Sequence, residues 1–261
     1  MPLRGASLES KAQLRERFLG NILSITGDTR VLWTPKPTDT TTSLDESLTG
    51  RTLTADATMA AQLSALGNGY ARAFNGSTNY LTTPDAADLS FGTGAADLAF
   101  SIVVLANVTD TAAIRQILSK NDGASNIEWS LRINAADGLD LFIFDQSASA
   151  TSCSRASNAA ITQGSWHLFA ATYSGVGGAS AGNGITLYQD AAVIASTATN
   201  SGTYVAMENL AAAVEIGSAV VHTLQFFPGS VALIALVAGV LTQSQLWAIK
   251  RHANAFFGLS L

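Results

Sequence analysis

From residue 71 onward the chain is a succession of short apolar stretches, each cut off by Gly, Asn, Asp or Ser. That rhythm belongs to antiparallel sheets joined by turns and is foreign to alternating strand and helix units. It predicts strands over residues 71–74, 80–82, 98–107, 116–120, 129–133, 139–145, 166–173, 184–189, 213–216 and 229–239. The Gly-, Ser- and Ala-rich run 174–183 sits between two matching strands and is expected to form a flexible hairpin tip. A chain of 261 residues is long enough for one large core, so a single two-sheet, all-β jelly-roll sandwich accounts for the pattern without a second domain.

Two segments follow a helical period instead. Over residues 7–25, Leu8, Ala12, Leu14, Phe18, Leu19 and Ile22 return on one face, with Ser7 or Ser10 as the cap, while Glu9, Lys11, Arg15, Glu16 and Arg17 lie opposite. This divides the chain into an N-terminal helical arm, 1–27, and a jelly-roll domain, 28–261, with its core over 70–250. The arm either docks on its own domain or packs on another subunit. Near the other end, Thr242 and Gln245 have capping-box spacing ahead of a helix through Leu246, Trp247, Ile249, Lys250 and Ala253, and an apolar tail carries Phe256 and Phe257. The Thr-rich run 38–43 has no apolar period and reads as an exposed loop.

Composition narrows the function. Hydrophobic residues make up 48% and charged residues only 13%, so part of the surface is expected to lie against neighbours. The net charge of −5, spread without basic blocks, gives no footprint for nucleic acid. The stretch 231–241, interrupted by Gly239, is too short to cross a bilayer as a helix, so no membrane partner is expected. The first 11 residues do not read as a secretory signal, and the lone Cys153 cannot form an internal disulfide, which together suggest synthesis in a cytoplasm.

The order of segments resembles the laminin-G-like jelly rolls of the concanavalin A-like lectin and glucanase group over roughly residues 70–250. The resemblance is carried by Ala73-Phe-Asn-Gly-Ser-Thr-Asn-Tyr-Leu81, Phe100-Ser-Ile-Val-Val-Leu105, Ile117-Leu-Ser-Lys120, Trp166-His-Leu-Phe-Ala-Ala-Thr-Tyr173 and Ile185-Thr-Leu-Tyr-Gln-Asp190. The family's last strand usually reads Gly-x-Ile-Asp-Glu, and here Gly229-Ser-Val231 is followed by Ala232 and Leu233 in the acidic places. That strand is apolar on both faces, and a second layer or a neighbouring subunit should cover it.

Candidate chemistry is thin. Glycosidases need two carboxylates facing one cleft, but Gly138 makes a turn between Asp137 and Asp140, and Asp140 and Asp145 fall on opposite faces of one strand. His167 reads as structural, and Cys153 has no histidine at a useful spacing, so no catalytic residue is assigned. The resemblance implies a possible calcium, for which Asp85, Asp88, Asn121, Asp122 and Asn126 offer oxygens. They match no dense ligand spacing, so no metal or other cofactor is expected. The tryptophans Trp33, Trp129, Trp166 and Trp247 read as core, and Asn75-Gly-Ser77 as a turn.

A helical arm joined to one such jelly roll resembles bacteriophage virion components. This implies a non-enzymatic capsid decoration protein on the virion surface that binds a major capsid protein or other virion protein. It would self-associate, with a trimer favoured, through Leu14, Phe18, Leu19, Ile22, Phe256 and Phe257. The alternative is a lectin-like module of a tail fibre or cell surface, with Tyr80, Tyr188 and Tyr204 touching a glycan.

Overall fold

The computed structural model describes residues 9–39, 41–56, 59, 62–109 and 113–261. In chain order the elements are α1 (Lys11–Thr26), β1 (Thr29–Trp33), β2 (Thr42–Leu44), β3 (Thr52–Ala55), β4 (Leu63–Leu66), β5 (Gly69–Asn75), β6 (Leu81–Thr83), β7 (Phe100–Val108), β8 (Arg115–Asn121) and β9 (Ile127–Ile133). They continue with β10 (Leu139–Asp145), β11 (Thr151–Ser157), β12 (Trp166–Tyr173), β13 (Ile185–Gln189), β14 (Ala192–Val193), β15 (Ser196–Thr199), β16 (Val214–Ile216), β17 (Pro228–Ala238) and α2 (Gln243–Phe257).

The strands form two antiparallel sheets. One has eight strands in the order β14-β13-β12-β7-β17-β5-β4, with β1 also paired to β17, and the other has nine in the order β15-β11-β10-β9-β8-β16-β6-β3-β2. Period-two alternation sends one set of side chains between the sheets: Phe100, Ile102, Val104 and Ala106 from β7 meet Trp129 and Leu131 of β9 and Leu141 and Ile143 of β10 in one core. Every sequence-predicted strand is present, each within a few residues of its expected bounds.

The opposite faces of β7 and β17 are also apolar. Val103, Leu105, Leu233, Ala235 and Val237 point out of the sandwich and form a second core with α1 and α2. Alternation along β17 feeds both cores, and a bulge between Val231 and Leu233 turns the consecutive Ala232 and Leu233 to the same, helical side. The layer that β17 demands is thus supplied by the chain's own two helices. They run against each other through a parallel stack of Phe18 on Phe256 at 4.4 Å and an edge contact of Phe18 with Phe257 at 5.4 Å. Both helices start with a complete capping box, Ser10 with Gln13 and Thr242 with Gln245, which satisfies amide donors at each N-terminus. Ser7 and Leu8 lie outside the described residues. Gly258 ends α2 in the left-handed conformation.

This arrangement corrects the assembly assignment. Phe18, Leu19, Ile22, Phe256 and Phe257 are buried within the chain, and Leu14 packs half-buried against the same cluster. The outer face of the eight-stranded sheet takes up their apolar surface, so these side chains are not offered to a partner. Three further expectations change. The run 38–43 is exposed only in part: Thr38, Thr41 and Thr42 face solvent, but Thr42 starts β2, Asp39 and Ser43 are buried, and the Ser43 hydroxyl accepts from Trp33 Nε1 at 2.7 Å while donating to Asp39 Oδ2 at 2.7 Å. The run 174–183 ends in tight 3-10 turns, with Ala181 and Gly182 buried and no space for a side chain at Gly182, whose Cβ would come within 2.7 Å of the Ser154 carbonyl oxygen. Trp33 and Trp129 are core, but Trp166 is only half-buried and Trp247 is 50% exposed.

Candidate functional site

Both α1 and α2 pack on the eight-stranded sheet, so neither lies over the outer face of the nine-stranded one. Its cross-strand registers place one residue from each strand in a continuous row: Thr199, Ser154, Phe142, Ser130, Ser119, Glu215, Thr82, Thr54 and Thr42. Phe142 is the only apolar member. A second row runs beside it through Thr197, Ala156, Asp140, Arg132 and Gln116.

Phe142 and Phe144, two apart on β10, share this face with ring centroids 5.7 Å apart and planes inclined by 21°. The Arg132 guanidinium lies 4.0 Å over the Phe142 ring, a cation–π contact. Its Nη2 also reaches Asp140 Oδ2 at 3.4 Å, and the Asp140 side chain is only 5% exposed. Among the described residues Asp140 Oδ1 and Arg132 Nε are shielded from solvent and have no hydrogen-bond partner. Burial pushes the Asp140 carboxyl up to about 6, against the opposing pull of Arg132. Beneath the row, the buried Gln116 amide donates to the carbonyls of Leu118 and Leu131, each at 2.9 Å, and so satisfies groups freed by the bulge in β8.

Further along the same face Glu215 is buried and accepts from Ser218 Oγ at 2.7 Å and from the His222 amide at 3.2 Å. The His222 ring stacks flat on Tyr80, 3.7 Å between centroids. Of the three tyrosines offered as glycan contacts, Tyr80 alone remains half-exposed, with one ring face covered by His222. Tyr188 is buried beneath the helical layer. Tyr204 is buried in the sandwich, where its hydroxyl and that of Tyr173 donate to Asp97 Oδ2 at 2.9 and 2.5 Å. Neither can stack on a ligand, because each ring fills core volume. Burial raises the Asp97 carboxyl, and burial and Asp97 together raise both phenols.

The carboxylates considered for metal or catalysis have internal partners. Asp85 pairs with the buried Lys120 at 2.8 Å, and Lys120 also meets Glu128 at 2.6 Å in a fully buried contact. Asp88 pairs with Arg51 and Arg30. Asp122 accepts from the amides of Ala124 and Asn126 and from Asn126 Nδ2, and Asn121 Oδ1 accepts from the Gly123 amide, so both close their own turn. Among the described residues no three His, Cys, Asp or Glu side chains gather where a metal ion would sit. Asp145 accepts from Ser147, Ala148 and Val205 at the end of its strand and does not approach Asp140 as a catalytic partner. His167 Nδ1 meets Asp190 Oδ2 at 2.7 Å, and Cys153 is buried in the core. Elsewhere, a groove of about 760 Å³ runs along α2 past Trp247, Lys250 and Arg251, with Lys250 Nζ 4.6 Å from the indole centroid.

Sequence reasoning weighed Asp140 but missed Arg132 and the phenylalanine pair. The signal was available: counting back through the 134–138 turn sets Arg132 directly opposite Asp140. The period-two spacing of Phe142 and Phe144 sets both on the Asp140 face.

Comparison with solved structures supports the architecture. The binding domain of Paraclostridial Mosquitocidal Protein 1 superposes with a TM-score of 0.63 at 10% identity, over 87% of this chain and 52% of that one. The Botulinum neurotoxin serotype D binding domain gives 0.62 at 9% identity, over 88% and 52%. Domain 4 of AbnA, a GH43 extracellular arabinanase from Geobacillus stearothermophilus solved in complex with arabinotriose, gives 0.60 at 16% identity, over 85% and 98%. The chain spans about half the length of the toxin binding domains it matches. At these identities the likeness is one of fold. No curated protein matches the sequence. Residues 75–246 match the family model described as concanavalin A-like lectin/glucanases superfamily, and that segment contains the whole of β6 to β17. With most of both sheets inside the matched segment, this chain belongs to the laminin-G branch of the concanavalin A-like lectin/glucanases superfamily.

Proposed function

We propose that this chain is a non-catalytic carbohydrate-binding module that engages its ligand on the uncovered face of the nine-stranded sheet. The observation that carries this reading is the pairing of an aromatic platform, Phe142 beside Phe144, with Arg132 and Asp140 on an otherwise polar sheet face. Sugars present hydroxyls at their edges and C–H groups on their faces, and a site with aromatic surface and a few fixed polar groups suits both. Membership of a superfamily that includes lectins supports the reading, as does the arabinotriose in the arabinanase domain of the same fold. The capsid-decoration reading drew its partner surface from the apolar stripe of α1, and the burial of that stripe against the chain's own sheet leaves the assembly hypothesis without it.

The test is an immobilised oligosaccharide array followed by calorimetric titration of the best binder. Binding that weakens at least tenfold in Phe142→Ala, while Trp247→Ala on the helical layer binds as the parent does, is the expected result. An array without a binder above background, or a binder indifferent to Phe142, refutes the proposal.

A further inference from the structure

We propose that Arg132 and Asp140 act as a charge-compensated reading pair that selects uncharged sugars presenting two adjacent hydroxyls, with the Arg132 guanidinium leaving the Phe142 ring to admit them. The proposal rests on the carbohydrate-binding reading above and names the ligand class of that site.

Three features point to it. The first is the state of the pair's hydrogen bonds. Arg132 and Asp140 touch through one long contact of 3.4 Å, leaving an acceptor, Asp140 Oδ1, and a donor, Arg132 Nε, without partners among the described residues. A carboxylate accepts at both oxygens and a guanidinium donates at every N–H, so a two-point bidentate pairing would have used both. The empty places shielded from solvent are one acceptor and one donor. Two neighbouring hydroxyls fill them together, one donating to Oδ1 and the other accepting from Nε.

The second feature is charge. The two side chains cancel each other, and among the described residues Arg132 is the one charged group whose charge shifts Asp140. Nothing in the pair draws in an anion. A ligand carboxylate brought to Arg132 would also meet Asp140, buried and with few means of screening, so like charges would oppose it.

The third feature is what covers the ring. The guanidinium 4.0 Å above Phe142 occupies the face on which a sugar would stack, and the two unpartnered atoms are shielded from solvent in the same arrangement. Arg132 keeps 19% of its side chain in solvent, and its long stem can rotate that way. Rotation exposes the Phe142 ring, extended by Phe144, together with the unpartnered atoms. The arrangement described is then the closed member of a two-state site, shifted by a ligand that binds only the open one.

The experiment uses the full chain and two matched probe sets, neutral oligosaccharides such as arabinotriose and galactotriose, and carboxylated ones such as trigalacturonate and sialyllactose. Binding confined to the neutral set is expected, with affinity falling at least tenfold in Asp140→Asn and in Arg132→Lys, which keeps the charge but lacks Nε. Thr54→Ala, on the same face but remote, should stay within twofold. On saturation with the best neutral probe the Arg132 Nε–H resonance should move, which a purely structural role would not produce. Thermal melting of each variant identifies any that fail to fold, and the resonance shift in the parent protein stands independently of them. Preference for carboxylated probes, or neutral binding untouched by both substitutions with a stationary Nε–H signal, overturns the reading pair and leaves carbohydrate binding in place. Silence across both sets overturns carbohydrate binding, and the pair with it.

Discussion

The two outward faces of this sandwich are built from strands of the same fold and meet opposite fates. On the eight-stranded sheet, β7 and β17 carry Val103, Leu105, Leu233 and Val237 outward, and two helices bury them. On the nine-stranded sheet the corresponding positions are Ser119, Ser130, Ser154 and Thr82; neither α1 nor α2 lies over them, and the buried Ser119 and Ser130 bond to the Ser218 carbonyl and to Gln116 instead. A strand buried on both sides loses the polar half of its alternation, while a strand with one free side keeps it. Which face the helices cover can therefore be read from whether the alternation survives.

Removing the cover is the severest challenge to this contrast. Deleting residues 1–27 strips Phe18, Leu19 and Ile22 from the second core, and burying a side chain of this kind contributes about 1.5–3 kcal/mol. The truncated chain is expected to lose about 5 kcal/mol or more in urea denaturation, or to aggregate through the exposed face. A truncated chain as stable as the parent would mean that the helical layer is dispensable.

Single substitutions sharpen the same point. Phe256→Ala removes the ring stacked on Phe18 and is expected to cost about 3–5 kcal/mol, as large-to-small core changes do. Phe142→Ala on the bare face should cost about 1 kcal/mol, because the ring is half-buried and loses mainly its contacts with Arg132 and Phe144. Equal losses in the two denaturation curves would erase the distinction between a covered and an open face.

Asp140 adds a pH dependence. Its carboxyl titrates at about 6 in the folded chain and near the ordinary value of 3.8 when unfolded, so between these values the folded state holds more protons. Stability therefore falls as pH rises from about 4 to 6, and the penalty is fully present above that window. Asp140→Asn removes it and should stabilise the protein by about 3 kcal/mol at pH 8, with the gain vanishing below pH 4. Parallel melting curves of the two proteins across that range would contradict the burial of Asp140. The smallest effect is expected at Trp247, half-exposed on α2, where Ala should change stability by no more than about 0.5 kcal/mol.

The contrast also explains what could be read in advance. β7, β10, β12 and β17 are rich in β-branched, leucine and aromatic residues and stand out in the sequence. β11, Thr-Ser-Cys-Ser-Arg-Ala-Ser, was missed because its outward residues are small and polar and, of its residues, Cys153 alone joins the core. β2, β3, β4, β14 and β15 are two to four residues long, too short for any period to register. The need to cover β17 was legible from its apolar run. What would cover it was not, because an amphipathic helix has the same period whether it folds onto its own chain or onto another. The candidate site was legible in its residues but not in their company: Asp140 was weighed against other carboxylates, whereas its neighbour across the hairpin is an arginine.

The placement of the two helices has a further consequence for display. α1 and α2 lie antiparallel on one side of the sandwich, with Gln245 Nε2 donating to the Ile25 carbonyl at one end and Phe18 stacked on Phe256 towards the other. After α2, Leu259 and Leu261 pack back onto the same helical core, so the described C-terminal residues stay with that layer. A support that grips the helical layer would leave the nine-stranded sheet facing away from it, and several copies held so would meet a repeating surface together, where weak individual contacts add through effective concentration.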